Sequence, residues 1–167
     1  MDPKEKEKIV KEVSEKAGEA EIKYHGCSRS TLYGLKEHFD FITDEMIRAS
    51  MALAGGCSSS NGTCGAYSGG LLALGLKYEP PMEDLSKEAE EKRLKSREKR
   101  FAFREAFIKE LGSTLCPDIQ ERQFGRRFNM RDPKDWQEFM NLPGHFEKCA
   151  EVVAKGTKIV AELLLED

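Results

Sequence analysis

Five cysteines, Cys27, Cys57, Cys64, Cys116 and Cys149, carry the most reactive chemistry available to this 167-residue chain. A thiolate attacks disulfides and binds soft metals. Its pKa falls where unpaired amides and the positive end of a helix dipole meet the sulfur. Cys64 is placed for that by sequence, because Thr63 is a good N-cap and the apolar run Leu71, Leu72, Leu74 and Leu76 follows. Cys116 precedes Pro117, a residue favoured in a first helical turn, and so reads as the N-cap of a short helix reaching Glu121. Cys27 follows Gly26 and opens a segment that reads as helical to about His38. Cys149 lies further inside a helix that should start near Pro143. Cys57 stands apart, between Gly55-Gly56 and the polar stretch Ser58 to Gly62, where a loop is expected.

The elements that must position these thiols are helices. Ile9, Val10, Val13 and Ala17 recur at three- and four-residue steps between lysines and glutamates, predicting an N-terminal amphipathic helix within residues 1–22. Thr43 caps a helix with Asp44 and Glu45 in its first turn, and Gly55 should end it. A long charged helix is expected from Asp84 to Leu111, with Leu94, Phe101, Phe107, Ile108 and Leu111 on its apolar side and Gly112 as its stop. Asp132-Pro133 should open a short helix bearing Trp136, Phe139 and Met140. A last helix carries Val152, Val153, Ile159, Val160, Leu163 and Leu164. No segment alternates with period two. The expected fold is mainly α: residues 1–167 as one compact bundle of about six to eight helices. At this length a chain buries a core without disulfide staples.

Composition narrows the function. A net charge of −3 argues against a general nucleic-acid binder. No apolar run is long enough to span a bilayer, so no membrane insertion is expected. The N-terminus lacks a signal-peptide core, and the expected location is cytoplasmic. Cysteines in that compartment point to metal or redox chemistry before structural disulfides. The absence of any C-x-x-C pair argues against thioredoxin-like exchange and the common zinc modules.

Cys27, then Cys64-Gly65-Ala66-Tyr67-Ser68-Gly69, then Cys116 and Cys149, resemble the small redox-active proteins defined by four cysteines and a C-G-A-x-x-G motif. The likeness runs from about residue 24 to 164. It implies a helical fold, and it carries Cys27, Cys64, Cys116 and Cys149 over as the redox-active or metal-binding set. It also implies iron–sulfur chemistry in some relatives, haem-binding segments in others, and a link to membrane transport proteins as partners. This chain has no C-x-x-C-H sequence, so covalent haem is not expected.

Several residues stand beside that set. Gly65 and Gly69 share a helix face and admit either a neighbouring helix or a bulky cofactor. His145 is four residues before Cys149, a spacing that suits shared metal ligation or a histidinium that lowers the thiol pKa. His25 is a weaker candidate of the same kind. Arg122, Arg126, Arg127 and Arg131 surround Phe124 and Phe128 as a basic patch for an anionic cofactor, an acidic partner or RNA. The reading that follows is a protein that handles electrons or sulfur through clustered thiols, with an unidentified redox or sulfur-transfer partner. Those thiols would either ligate an iron–sulfur cluster or cycle between dithiol and disulfide. The rival is a structural or partner-binding helical protein whose cysteines hold zinc or merely pack.

Overall fold

The computed structural model describes residues 1–166. Among them eight right-handed helices follow in order: α1 (Pro3–Tyr24), α2 (Cys27–Lys36), α3 (Asp44–Ser50), α4 (Gly65–Tyr78), α5 (Lys87–Leu111), α6 (Cys116–Phe124), α7 (Pro133–Asn141) and α8 (His145–Leu164). The expected caps hold: Thr43 accepts from the Met46 amide, and Asp132 accepts from the Lys134 and Asp135 amides. Gly112 ends α5 at a φ of 86°.

Helices α1 and α8 run antiparallel at the centre. The Ser14 hydroxyl donates to the Ala154 carbonyl at 2.9 Å, and Gly18 packs on Ala150 and Ala154. The apolar steps of α1, Val10, Val13 and Ala17, are buried in the core with Val152, Val153 and Val160 of α8. Helix α2 lies against both α1 and α4. Its Gly34 meets the Ala17 side chain, while its Ser28 meets Gly69 of α4, where an added Cβ would sit 2.6 Å from the Ser28 carbonyl oxygen. Gly69 therefore serves helix packing. Tyr78 closes the far end of α4 by donating to the Leu163 carbonyl at 3.1 Å.

Helix α5 corrects the sequence expectation in its register. Leu94 and Phe101 are 55% and 54% exposed, whereas Phe103 and Phe107 are fully buried. The buried face runs through Ala89, Ser96, Phe103, Phe107 and Leu111; its small residues Ala89 and Ser96 disguise the stripe. Tyr67 stacks on Phe103 at 5.1 Å between ring centroids, and a Cβ on Gly70 would lie 2.5 Å from the Phe103 ring. Phe103→Ala should lower the free energy of urea unfolding by about 3–5 kcal/mol. Phe101→Ala, on the exposed side, should stay within about 0.5 kcal/mol.

Between α3 and α4 the chain makes a 3₁₀ turn at Met51–Leu53 and then a left-handed turn through Gly55, Gly56, Cys57, Ser58 and Ser59. Gly55 and Gly56 suit positive φ. Cys57, Ser58 and Ser59 hold it at a conformational cost, which is a common mark of a segment shaped for a site.

Candidate redox site

Backbone pairing brings two of the thiols together. Thr63 and Leu115 form an isolated antiparallel bridge; the Cys64 amide donates to the Thr114 carbonyl at 2.8 Å, and the Cys116 amide donates to the Gly62 carbonyl at 2.9 Å. The starts of α4 and α6 are thereby fixed side by side. The caps shift by one residue from the sequence reading. Thr63 is held in the bridge, so Cys64 itself is the N-cap of α4. Leu115 caps α6, with Cys116 as that helix's first residue.

Cys27 meets this pair from α2. Its thiol is in hydrogen-bonding contact with the Cys64 thiol. Gly65 makes room for the contact, because a Cβ there would fall far inside contact distance of Cys27 Sγ and 2.9 Å from the Ser28 amide nitrogen. Both cysteines are free thiols; Cys64 is buried and Cys27 partly exposed. Cys116 and Cys149 line the same cavity as Cys27 and Cys64. Cys57, on the left-handed turn, is not part of its wall.

The electrostatics assign unequal roles. The Cys64 thiol donates toward Cys27 and lowers the Cys27 pKa; burial and the Glu21 carboxyl oppose this, and the Gly55 and Gly65 amides reinforce it. Cys64 moves well above the ordinary thiol range, because it holds the proton shared with Cys27 and is itself buried. Two backbone amides favour charge on Cys27 and only that of Ala66 favours it on Cys64, so Cys27 is the thiolate of the pair. This reverses the sequence expectation that the start of α4 would activate Cys64. The amide that opens α4, Gly65, instead serves a sulfur from another helix. Burial pushes the Cys116 thiol up to about 12 and the Cys149 thiol higher still. Their helix positions do not make them thiolates.

His145 lines the same cavity. It is 4% exposed, and burial lowers its pKa, so it stays neutral near pH 7 and lends Cys149 no positive charge. Its ring packs on Phe146, which also meets the His25 ring at 4.4 Å. Two arginines of the basic patch are paired with carboxylates. Arg126 pairs with Asp135 and Glu138, and Arg127 with Asp118 and Glu121.

The cavity over the thiols has a volume of about 400 Å³. Helices α6, α7 and α8 wall it with Phe124, Trp136, Phe139 and Phe146, and α1 contributes Glu21. Glu21 escaped the sequence reading. Its signal was a charged residue placed four after Ala17 on the apolar stripe of α1. It is 7% exposed, and burial pushes its carboxyl above the ordinary range while the nearby Ser30 hydroxyl and His25 oppose the shift.

Among the described residues, no three histidine, cysteine, aspartate or glutamate side chains lie close enough together to hold one ion. The four thiols that an iron–sulfur centre would use line one cavity, and two of them, Cys27 and Cys64, interact directly with each other.

Among the described residues the chain is helical, and it brings cysteines from the ends and faces of four helices to the wall of one cavity. The family comparison makes that specific. The chain belongs to the family described as "Putative redox-active protein (C_GCAxxG_C_C)", whose model matches residues 25–163. No curated protein and no solved structure matches it. Among the described residues, no helix is long and apolar enough to cross a membrane.

Proposed function

We propose that the protein is a dithiol–disulfide redox carrier in which Cys27 is the attacking thiolate and Cys64 the resolving thiol. The observation that carries this reading is the contact between the Cys27 and Cys64 thiols, in which one sulfur is stabilised as thiolate and the other keeps the proton. With a disulfide as oxidant, Cys27 attacks one sulfur and the first leaving thiolate departs. Cys64 then gives up its proton and attacks Cys27, releasing the second thiol. Two electrons pass to the oxidant and one intrachain disulfide forms. Cys116 and Cys149 stay protonated in the wall as reserve thiols for a bound sulfur species. The electron or sulfur partner is a separate protein or small molecule, and a membrane transport protein is one such candidate.

A second reading, ligation of an iron–sulfur cluster, is favoured by one observation: four thiols line one cavity. Metal and acid-labile sulfide analysis of protein purified without oxygen separates the two. The dithiol reading predicts colourless protein without stoichiometric iron or sulfide, losing two thiols per two-electron equivalent of oxidant. Stoichiometric iron and sulfide, lost in Cys64→Ser, would replace it with the cluster reading. Stoichiometric zinc would favour a structural role.

A further inference from the structure

The cavity that exposes the thiol pair has a composition of its own. Its wall is largely apolar, with methionines Met51, Met130 and Met140 lining it together with the aromatic side chains. Neither lysine nor arginine lines it, so a phosphorylated or multiply carboxylated ligand such as glutathione disulfide would find no counter-charge there. The volume of about 400 Å³ suits a small organic molecule. One polar atom in the wall is unsatisfied. Glu21 Oε2 is buried without a hydrogen-bond partner, on a residue that is 7% exposed. A buried carboxyl oxygen left without a partner is costly unless something completes it; the Ser30 hydroxyl and the Gly26 amide meet the carboxyl from the protein side, and burial moves Glu21 toward its neutral, donating form.

We propose that this cavity binds a small, apolar quinone as the electron acceptor of the Cys27–Cys64 dithiol, with the Glu21 carboxyl hydrogen-bonding a ring carbonyl. The proposal rests on the dithiol reading and adds the substrate class. A planar ring stacks on the aromatic side chains, and a carbonyl oxygen accepts a hydrogen bond from Glu21 Oε2. A small disulfide has neither a planar face nor a carbonyl at its reacting centre. The electrons balance. The Cys27 thiolate adds to a quinone ring carbon. The Cys64 sulfur then attacks Cys27 Sγ and gives up its proton, which goes to one ring oxygen. The carbon–sulfur bond breaks with its electron pair entering the ring, and a second proton from water reaches the other oxygen. The products are the Cys27–Cys64 disulfide and a hydroquinone.

Trp136 is the only tryptophan of the chain and stands in the cavity wall, so it reports occupancy independently of turnover. In the full-length Cys27→Ser/Cys64→Ser variant, which cannot react, ubiquinone-1 should quench Trp136 fluorescence saturably after correction for its own absorbance. Oxidised glutathione should not. Glu21→Leu should weaken quinone binding about fivefold, as loss of one hydrogen bond does, and Glu21→Gln, which can still donate, should bind within about twofold of the parent. Phe146→Ala, kept as a second variant in case Glu21→Leu fails to fold, should also weaken binding. Absence of saturable quenching by ubiquinone-1, equal quenching by oxidised glutathione, or tighter binding of lipoamide would overturn the proposal and leave the dithiol reading standing. If ubiquinone-1 binds as described but the wild-type thiols never form a disulfide with any oxidant, the dithiol reading fails instead.

Discussion

In a Cys57→Ser background, Cys27→Ser is expected to slow the reaction of the protein with an aromatic disulfide at pH 7 by about tenfold or more. The magnitude follows from the thiols that remain. Cys27 lies below the ordinary thiol value, whereas burial still raises Cys64, Cys116 and Cys149 once the Cys27 charge is gone, so each holds a smaller thiolate fraction at neutral pH. The greater intrinsic nucleophilicity of the more basic sulfurs returns only part of this difference. Cys64 variants should behave differently. Cys64→Ser keeps the attacking thiolate but lacks the resolving sulfur, so a mixed disulfide with the reagent should accumulate. Cys64→Ala removes the thiol that donates to Cys27. The pH at which Cys27 is half alkylated should therefore move upward, since the largest influence lowering its pKa is gone. A Cys27→Ser protein that reacts at the wild-type rate would show that the thiolate resides elsewhere.

Gly65→Ala should damage stability and chemistry together. The new methyl would be driven into Cys27 Sγ, which would have to turn away, and against the Ser28 backbone, which cannot move without displacing α2 from α4. A loss of about 1–3 kcal/mol in urea unfolding is expected, as for other overpacked cores. The Cys27 alkylation midpoint should rise as the contact with Cys64 opens. Gly75→Ala, in the same helix but with nothing within 4 Å of the added Cβ, is the control. It should be neutral or gain up to about 1 kcal/mol from helix propensity. Equal effects at the two positions would mean that Gly65 is not shaped around the sulfur.

The sequence and the structure agree most closely where the physics is local. Helix starts and stops at Thr43, Gly112 and Asp132 follow from capping, which only neighbouring residues decide. The order of Cys27, Cys64, Cys116 and Cys149 about the glycine motif identified the family over nearly the same span that its model matches. The electrostatic assignment was not legible, because it depends on tertiary contacts. Whether an amide at the start of α4 serves Cys64 or Cys27 is decided by how closely α2 approaches, and no spacing within α4 encodes that. Burial then outweighs helix position at Cys116 and Cys149. Phe103 was hidden for a related reason: small residues continue its stripe, so apolar periodicity alone favoured Phe101. Glu21 was readable in principle as a charge on a buried face, but only the cavity gives that charge a purpose.

Cys27 and Cys64 are the two sulfurs that exchange electrons in the proposed cycle. Reduced protein treated with one equivalent of a two-electron thiol oxidant, blocked with an alkylating agent and digested without reduction, should yield a linked peptide pair containing Cys27 and Cys64, with Cys57, Cys116 and Cys149 alkylated. A disulfide joining Cys116 to Cys149, or full alkylation of Cys64 while Cys27 is oxidised alone, would contradict it.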